Sequence, residues 1–329
     1  MSDVRWAYAI NQWDTNIDSF VRKREHERAF KTASISGFAG IELTAESFGA
    51  WEPLGTPQQL ADLYGSVEEF GEFLSSCAIE AVSSYIYDPS VGFEVEMGRG
   101  PDPLDPASVD QIVRTARWFA DAIRRLGGSV LVVRAAPSAW QTGELSDEQI
   151  GVLATLWNTV GAAIAADGIA LGLHVDFLSA LRLGDGMHRL LAATDAEKVG
   201  LAIDTAEYAI AGIDPVAFYR RHADRVVHVQ LKDARETVDD AEASTPHAEQ
   251  FIRTEGGARK ILRWFYEPSD ERALVDFEAF VGALAEHGYR GWIVVESDQS
   301  PHPAESTMVA GWYVQKVLRP ILEGARVPA

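Results

Sequence analysis

Residues 199–205 read Val199-Gly200-Leu201-Ala202-Ile203-Asp204-Thr205, and residues 226–233 read Val226-Val227-His228-Val229-Gln230-Leu231-Lys232-Asp233. Both are short, mostly apolar runs that close on ionisable residues, the pattern of a strand buried on both faces. Between them Asp214 to His222 forms a short helix, with Pro215 in the first turn, where a missing N–H costs little. Strands separated by a helix imply parallel neighbours, because a parallel return needs a long crossover.

The same alternation runs through the whole chain. Strands are predicted at Val4–Ile10, Gly40–Leu43, Ile79–Tyr85, Val130–Val133, Ile169–Val175, Val199–Ile203, Val226–Leu231 and Trp292–Val295. Helices are predicted at about Asp18–Ser36, Ser66–Cys77, Ser108–Leu126, Ser146–Ala166, Asp185–Ala193, Asp214–His222, Asp276–His287 and Ala304–Leu322. Eight β-then-α units predict an α/β fold, a single-domain (β/α)8 TIM barrel spanning residues 1–329 with long βα loops. A doubly wound open sheet would carry a Gly-rich phosphate turn after its first strand, whereas this strand leads into Asn11-Gln12-Trp13.

Three connections exceed the usual two to six residues: Thr44 to Gly65, Tyr87 to Ala107, and an insertion of about 232–275 after strand seven. All three follow strands and so lie on the face where barrels build active sites. The third carries Ile261, Leu262 and Trp264-Phe265-Tyr266, which read as a lid, a docking surface or plain loop packing.

The formal net charge is −20, from 49 acidic and 29 basic residues. That balance disfavours nucleic-acid and anionic membrane partners. The one cysteine, Cys77, rules out an intrachain disulfide or a Cys-based zinc site and reads as a small core residue at a helix end. No apolar run reaches the roughly 18 residues of a membrane span, and the start Met1-Ser2-Asp3-Val4-Arg5 has no secretory pattern, so a cytoplasmic protein is expected.

Polar residues at the strand ends carry the chemical expectation. Strand five ends in His174-Val175-Asp176, strand six in Asp204-Thr205-Ala206-Glu207, strand seven in His228-Val229-Gln230-Leu231-Lys232-Asp233, and strand eight in Glu296-Ser297-Asp298. Alternation puts His228, Gln230 and Lys232 on one face, and His174 with Asp176 on one face. Such polar groups inside a barrel are costly unless they converge on an ion or a substrate. Mixed imidazole, carboxylate and amide donors suit Mn²⁺, or Co²⁺, Mg²⁺ or Zn²⁺. Asp204 also reads as a cap for a following helix, and Glu42 and Lys232 also read as interior ion pairs.

The segments Lys198–Thr205 with Ala211–Pro215, Arg225–Arg235 and Gly288–Glu296 resemble the sugar-phosphate isomerase/epimerase superfamily, the xylose-isomerase-like barrels that include inosose dehydratases and keto-sugar epimerases. Gly37–Glu42 is similar to its second strand, more weakly. The resemblance implies one divalent metal, Mn²⁺ foremost, held by His174, Asp204, Gln230 and Glu296, with His228 as the substitute for Gln230. His174 stands where the family often has Glu, Gln230 where it has the second His of a His-x-His pair, and Glu207 where Asp-Thr-Gly-His is frequent. Ala9–Trp13 and Trp51–Gly55 resemble a narrower branch, the α subunits of bacterial C-glycoside deglycosidases, which work with a small β subunit.

What the resemblance implies chemically is proton abstraction beside a ketone, the metal acting as Lewis acid. For a 3-oxo-glycoside, loss of the C2 proton is followed by β-elimination that breaks the C-glycosidic bond, a lyase reaction of carbohydrate metabolism. His228, Glu207 and Asp176 are the candidate acids and bases; Glu42, Lys232, Arg235 and Asp298 are the candidate substrate contacts. An isomerase, epimerase or dehydratase acting on a free keto-sugar or inosose is the alternative. A scaffold or binding subunit that has lost its metal is the alternative of another class. An endonuclease on abasic DNA shares the barrel but conflicts with the charge. The expected partners are a small sugar or glycoside and a small β subunit in a hetero-oligomer.

Overall fold

The computed structural model describes residues 4–11, 13, 19–45, 55–90, 100–246, 267–268, 273–297, 300 and 302–324. Eight parallel strands close a barrel in sequence order: β1 (Val4–Ala9), β2 (Gly40–Thr44), β3 (Ala81–Tyr87), β4 (Val130–Arg134), β5 (Ala170–His174), β6 (Gly200–Asp204), β7 (Val226–Leu231) and β8 (Gly291–Val295). The barrel shuts through β1 on β8, with Ala7 opposite Val294 and Tyr8 opposite Val295.

Strand parity separates two environments. Tyr8, Ile41, Leu43, Val82, Leu131, Val133, Leu171, Leu173, Leu201, Ile203, Val229, Leu231, Ile293 and Val295 pack with the surrounding helices in the main core. The alternate positions form smaller clusters in the barrel interior: Ala7, Ala9, Ala81, Trp292 and Val294 in one, Ile86, Val130, Val132 and Ala202 in another. Trp292 plugs this interior, and a Cβ on Gly40 would come within 2.7 Å of its ring, so a side chain is excluded at that position. Continued toward the C-terminal ends, the interior parity delivers Glu42, Ser84, Arg134, His174, Asp204, Gln230 and Glu296 to one mouth.

The described elements depart from expectation at several points. A capped helix, Pro57–Tyr64, precedes Val67–Ser76 within the connection read as a loop. Thr56 accepts from the Gln59 amide while the Gln59 side chain takes the Thr56 amide, a reciprocal capping box. β3 begins two residues late because the Ile79 amide is drawn back to the Leu74 carbonyl and Ala78 turns at φ 60°. An unforeseen short helix, Thr205–Ile210, follows β6 directly and is buried on every side. The final helix, begun at Pro303, passes through a π-segment at Val314–Leu318 just before Pro320, which has no N–H for the Lys316 carbonyl.

Elsewhere the expected helices appear at Ser19–Ile35, Val109–Arg125, Asp147–Ala165, Gly186–Ala193, Pro215–His222 and Phe277–Glu286. Cys77 is buried just past the end of Val67–Ser76. Among the described residues, no helix is long and apolar enough to cross a membrane.

Candidate active site

The mouth is built from two layers of polar side chains. The lower layer centres on Glu42. Its Oε2 accepts from Ser84 Oγ at 2.7 Å and pairs with His228 Nε2 at 2.8 Å, and its Oε1 accepts from Gln230 Nε2 at 2.8 Å. Glu42 and His228 have no meaningful exposure. His228, a candidate base, and Glu42, a candidate substrate contact, are thus hydrogen-bonded to each other and buried in this lower layer.

Gln230 links this layer to the next. Its Nε2 donates to Glu296 Oε2 at 2.9 Å as well as to Glu42. Two carboxylate acceptors fix the amide orientation, since the flipped form would face both with its carbonyl. The Gln230 Oε1 is thus turned away, buried and without a hydrogen-bond donor.

The upper layer gathers His174, Asp204, Glu207, Lys232 and Glu296. Lys232 Nζ donates to Glu296 Oε1 at 2.9 Å and lies 3.5 Å from Asp204 Oδ2 and 3.6 Å from Glu207 Oε1. Asn11 Nδ2 also donates to Glu296 Oε1, at 2.9 Å. Asp204 does two things. Its Oδ1 caps the following helix by accepting from the Ala206 and Glu207 amides, and its Oδ2 turns inward, 3.9 Å from His174 Nε2. That Oδ2 is buried and accepts no hydrogen bond.

Electrostatics divide the two neighbouring carboxyls. Burial would raise Asp204, but Lys232 and His174 outweigh it and hold the group below its usual value. Glu207 has the opposite balance: burial dominates the pull of Lys232 and pushes its pKa up to about 7. Burial acts to lower His174, yet the charges of Asp204, Glu207 and Asp176 lift it above its ordinary value. Glu207 Oε2 accepts the Phe177 amide at 2.8 Å, which leaves Oε1 toward Lys232.

Asp176 belongs to a different cluster. Arg134 Nε donates to its Oδ2 at 2.8 Å, and the same guanidinium reaches Ser138 at 2.7 Å and Asp88 at 3.3 Å. Burial works to raise Asp176, but Arg134 overrides it and keeps the carboxylate ionised below its ordinary range. Asp176, a candidate acid or base, is thus bound to the Arg134 guanidinium. Arg235 is partly buried beyond the end of β7, and Asp298 lies outside the described residues.

Arg134, Asp88, Ser84 and Asn11 were not foreseen. Arg134 had a signal: it closes the apolar run Val130–Val133 as Asp204 closes Val199–Ile203.

The donor chemistry at the mouth suits a hard or borderline cation. Asp204 Oδ2 and Gln230 Oε1 are both buried oxygens without donors, set at register partners on adjacent strands, with the His174 imidazole beside one of them. Among the described residues, no three His, Cys, Asp or Glu side chains stand close enough to enclose one ion in their present arrangement. Lys232 stands between Asp204 and Glu296.

A family model described as xylose isomerase-like TIM barrel matches residues 30–312. Among curated proteins, an inosose dehydratase of Lacticaseibacillus casei is 28% identical over 176 residues, 53% of this chain and 56% of that protein. The rhizopine catabolism protein MocC of Rhizobium meliloti is 36% identical over 141 residues, 43% and 40% of the two chains. The chain thus spans about half the length of the curated relatives it matches. The crystal structure of the probable 3-DHS dehydratase AsbF of Bacillus anthracis superposes with a TM-score of 0.69 at 11% identity, over 95% of this chain and 99% of that one, a likeness of fold.

Proposed function

This chain belongs to the xylose isomerase-like TIM-barrel family, and we propose that it is a lyase that abstracts a proton beside the ketone of an oxidised sugar or cyclic polyol and expels the β substituent. The observation that carries this reading is the position of Glu207, a buried carboxyl beside the Lys232 ammonium at the strand-end mouth. Named relatives that are dehydratases support the elimination.

Glu207 takes the proton from the carbon next to the ketone, and the electron pair moves onto the carbonyl oxygen. Collapse of that enolate restores the C=O, forms the neighbouring C=C and breaks the bond to the β substituent. In an inosose the leaving group is hydroxide, which departs as water by taking the proton that Glu207 removed. In a 3-oxo-glycoside the C2 proton is lost to Glu207 and the C1–aglycone bond breaks, the aglycone carbon taking up that same proton in the C-glycoside case. Asp204, His174, Gln230 and Glu296 are the residues that would hold a divalent ion, Mn²⁺ foremost. When bound, the ion supplies Lewis-acid stabilisation of the oxygen on which charge develops. Lys232 supplies a positive charge toward the same oxygen, and Arg134, held by Asp176 and Asp88, orients hydroxyls at the rim.

The finer reading is cleavage of a 3-oxo-C-glycoside together with a small β subunit. It rests on the resemblance of Ala9–Trp13 and Trp51–Gly55, of which Gln12 and Trp51–Leu54 lie outside the described residues, as do Trp264-Phe265-Tyr266. The discriminating experiment incubates the purified chain with Mn²⁺ and either an inosose or a 3-oxo-glycoside, the latter with and without a candidate β subunit. Release of water or aglycone with formation of an enone supports elimination. Return of an epimer alone moves the assignment to an epimerase, and inertness toward every substrate moves it to a scaffold.

A further inference from the structure

Three carboxylates, Asp204, Glu207 and Glu296, surround the Lys232 ammonium within 3.6 Å, and all four residues are buried. Buried carboxylates of one sign repel each other strongly, so the fold needs a cation among them. Lys232, the residue just past β7, continues the interior parity of His228 and Gln230 and is positioned to be that cation. Its main chain is tied down as well: the Lys232 amide donates to Thr205 Oγ1 at 3.0 Å, and Thr205 Oγ1 donates to the Lys232 carbonyl at 2.7 Å. The ammonium therefore cannot swing far without its four-carbon stem doing the moving.

Two of those carboxylates, Asp204 and Glu296, are also the anionic members of the set assigned above to a divalent ion. An ammonium and a dication that share oxygens at this separation repel each other, so each weakens the hold of the other. We propose that the Lys232 ammonium occupies the seat that Asp204 and Glu296 offer a divalent ion, so that ammonium and ion compete for it. The inference rests on the metal reading given under the proposed function. It accords with the finding that, among the described residues, no three His, Cys, Asp or Glu side chains enclose an ion in this arrangement. Metal loading then requires the Lys232 head group to withdraw along its stem, and that withdrawal frees it to meet the substrate oxygen.

The test is calorimetric titration of Mn²⁺ into the wild-type chain and into Lys232→Met, with thermal melts of both in EDTA and in Mn²⁺. The methionine stem keeps volume and removes the charge. Lys232→Met is expected to bind Mn²⁺ at least about tenfold more tightly than wild type, the size of effect seen when groups beside a metal are changed. It is also expected to melt below wild type in EDTA and to recover in Mn²⁺. Equal or weaker binding by Lys232→Met overturns the competition while leaving the metal reading intact. Failure of both chains to bind Mn²⁺ overturns both. Should Lys232→Met fold only with Mn²⁺ present, the seat is shared, as proposed. Should it not fold at all, Lys232→Arg decides: a permanent cation is expected to bind Mn²⁺ no more tightly than wild type, and tighter binding overturns the proposal.

Discussion

Asp204 on β6 and Gln230 on β7 are register partners, and each ends in a buried oxygen that accepts no hydrogen bond. Leaving such an acceptor unpaired costs roughly 1–3 kcal/mol. Two of them side by side at the catalytic face of a barrel mark a place built for something positive. The Lys232 ammonium 3.5 Å from Asp204 Oδ2 meets part of that demand.

The two oxygens of Asp204 have separable tasks, which yields a clean pair of substitutions. Asp204→Asn keeps a carbonyl oxygen for the helix cap and turns an NH2 toward His174. It is expected to lose Mn²⁺, measured by mass spectrometry of the purified chain, while remaining folded. Asp204→Ala also loses the cap to the Ala206 and Glu207 amides, which costs about 1 kcal/mol in a urea titration. Retention of the ion by both variants would remove Asp204 from the ligand set.

Arg134 holds Asp88 and Asp176 together across the ends of β3, β4 and β5. Replacing it by Met leaves two shielded carboxylates uncompensated, and a loss of about 3 kcal/mol is expected from denaturant midpoints. Double replacement, Arg134→Met with Asp176→Asn, should restore part of that loss. A single variant as stable as wild type would mean that the clamp is not an energetic unit.

On the outer surface His222 Nε2 and His188 Nδ1 lie 2.9 Å apart, joining the helices Gly186–Ala193 and Pro215–His222. Burial first, then the charges of His188, Arg221 and Arg225, lowers His222 to about 4 from an ordinary 6.5. Its folded value lies below its unfolded one, so its contribution to stability is complete above about 6.5 and declines as pH falls toward 4. Chemical denaturation at pH 7.5 and pH 4.5 should show a smaller acid loss for His222→Gln than for wild type. Equal losses would exclude the pair as an acid-sensitive joint.

The eight strands were legible because each is a short apolar run between amphipathic segments, and the barrel followed from their number. What escaped notice had weak periodicity. Thr205–Ile210 is buried all round, so it shows no polar face to mark it as a helix. Pro57–Tyr64 was readable only from Thr56, Pro57 and Gln59, a capping signal inside a stretch judged by length as loop. At the site, Asp204, Glu207, Lys232 and Glu296 do meet, since strand ends and parity suffice to bring them together. Depth was not legible: nothing in the sequence of β7 separates His228, sealed below against Glu42, from Lys232 two steps of the same parity nearer the mouth. Arg134 and Asp176 also carry no mutual signal in sequence, because 42 residues separate them.

The most direct measurement is deuterium incorporation at the carbon next to the ketone, followed by NMR in D2O for wild type and Glu207→Gln with an inosose or a 3-oxo-glycoside. Wild type is expected to exchange that proton. Glu207→Gln is expected to exchange it at least about a hundredfold more slowly, the scale of a lost general base, while still binding Mn²⁺ and keeping its fold. Exchange at the wild-type rate in Glu207→Gln, or no exchange in wild type loaded with metal, would contradict proton abstraction by Glu207 at this site.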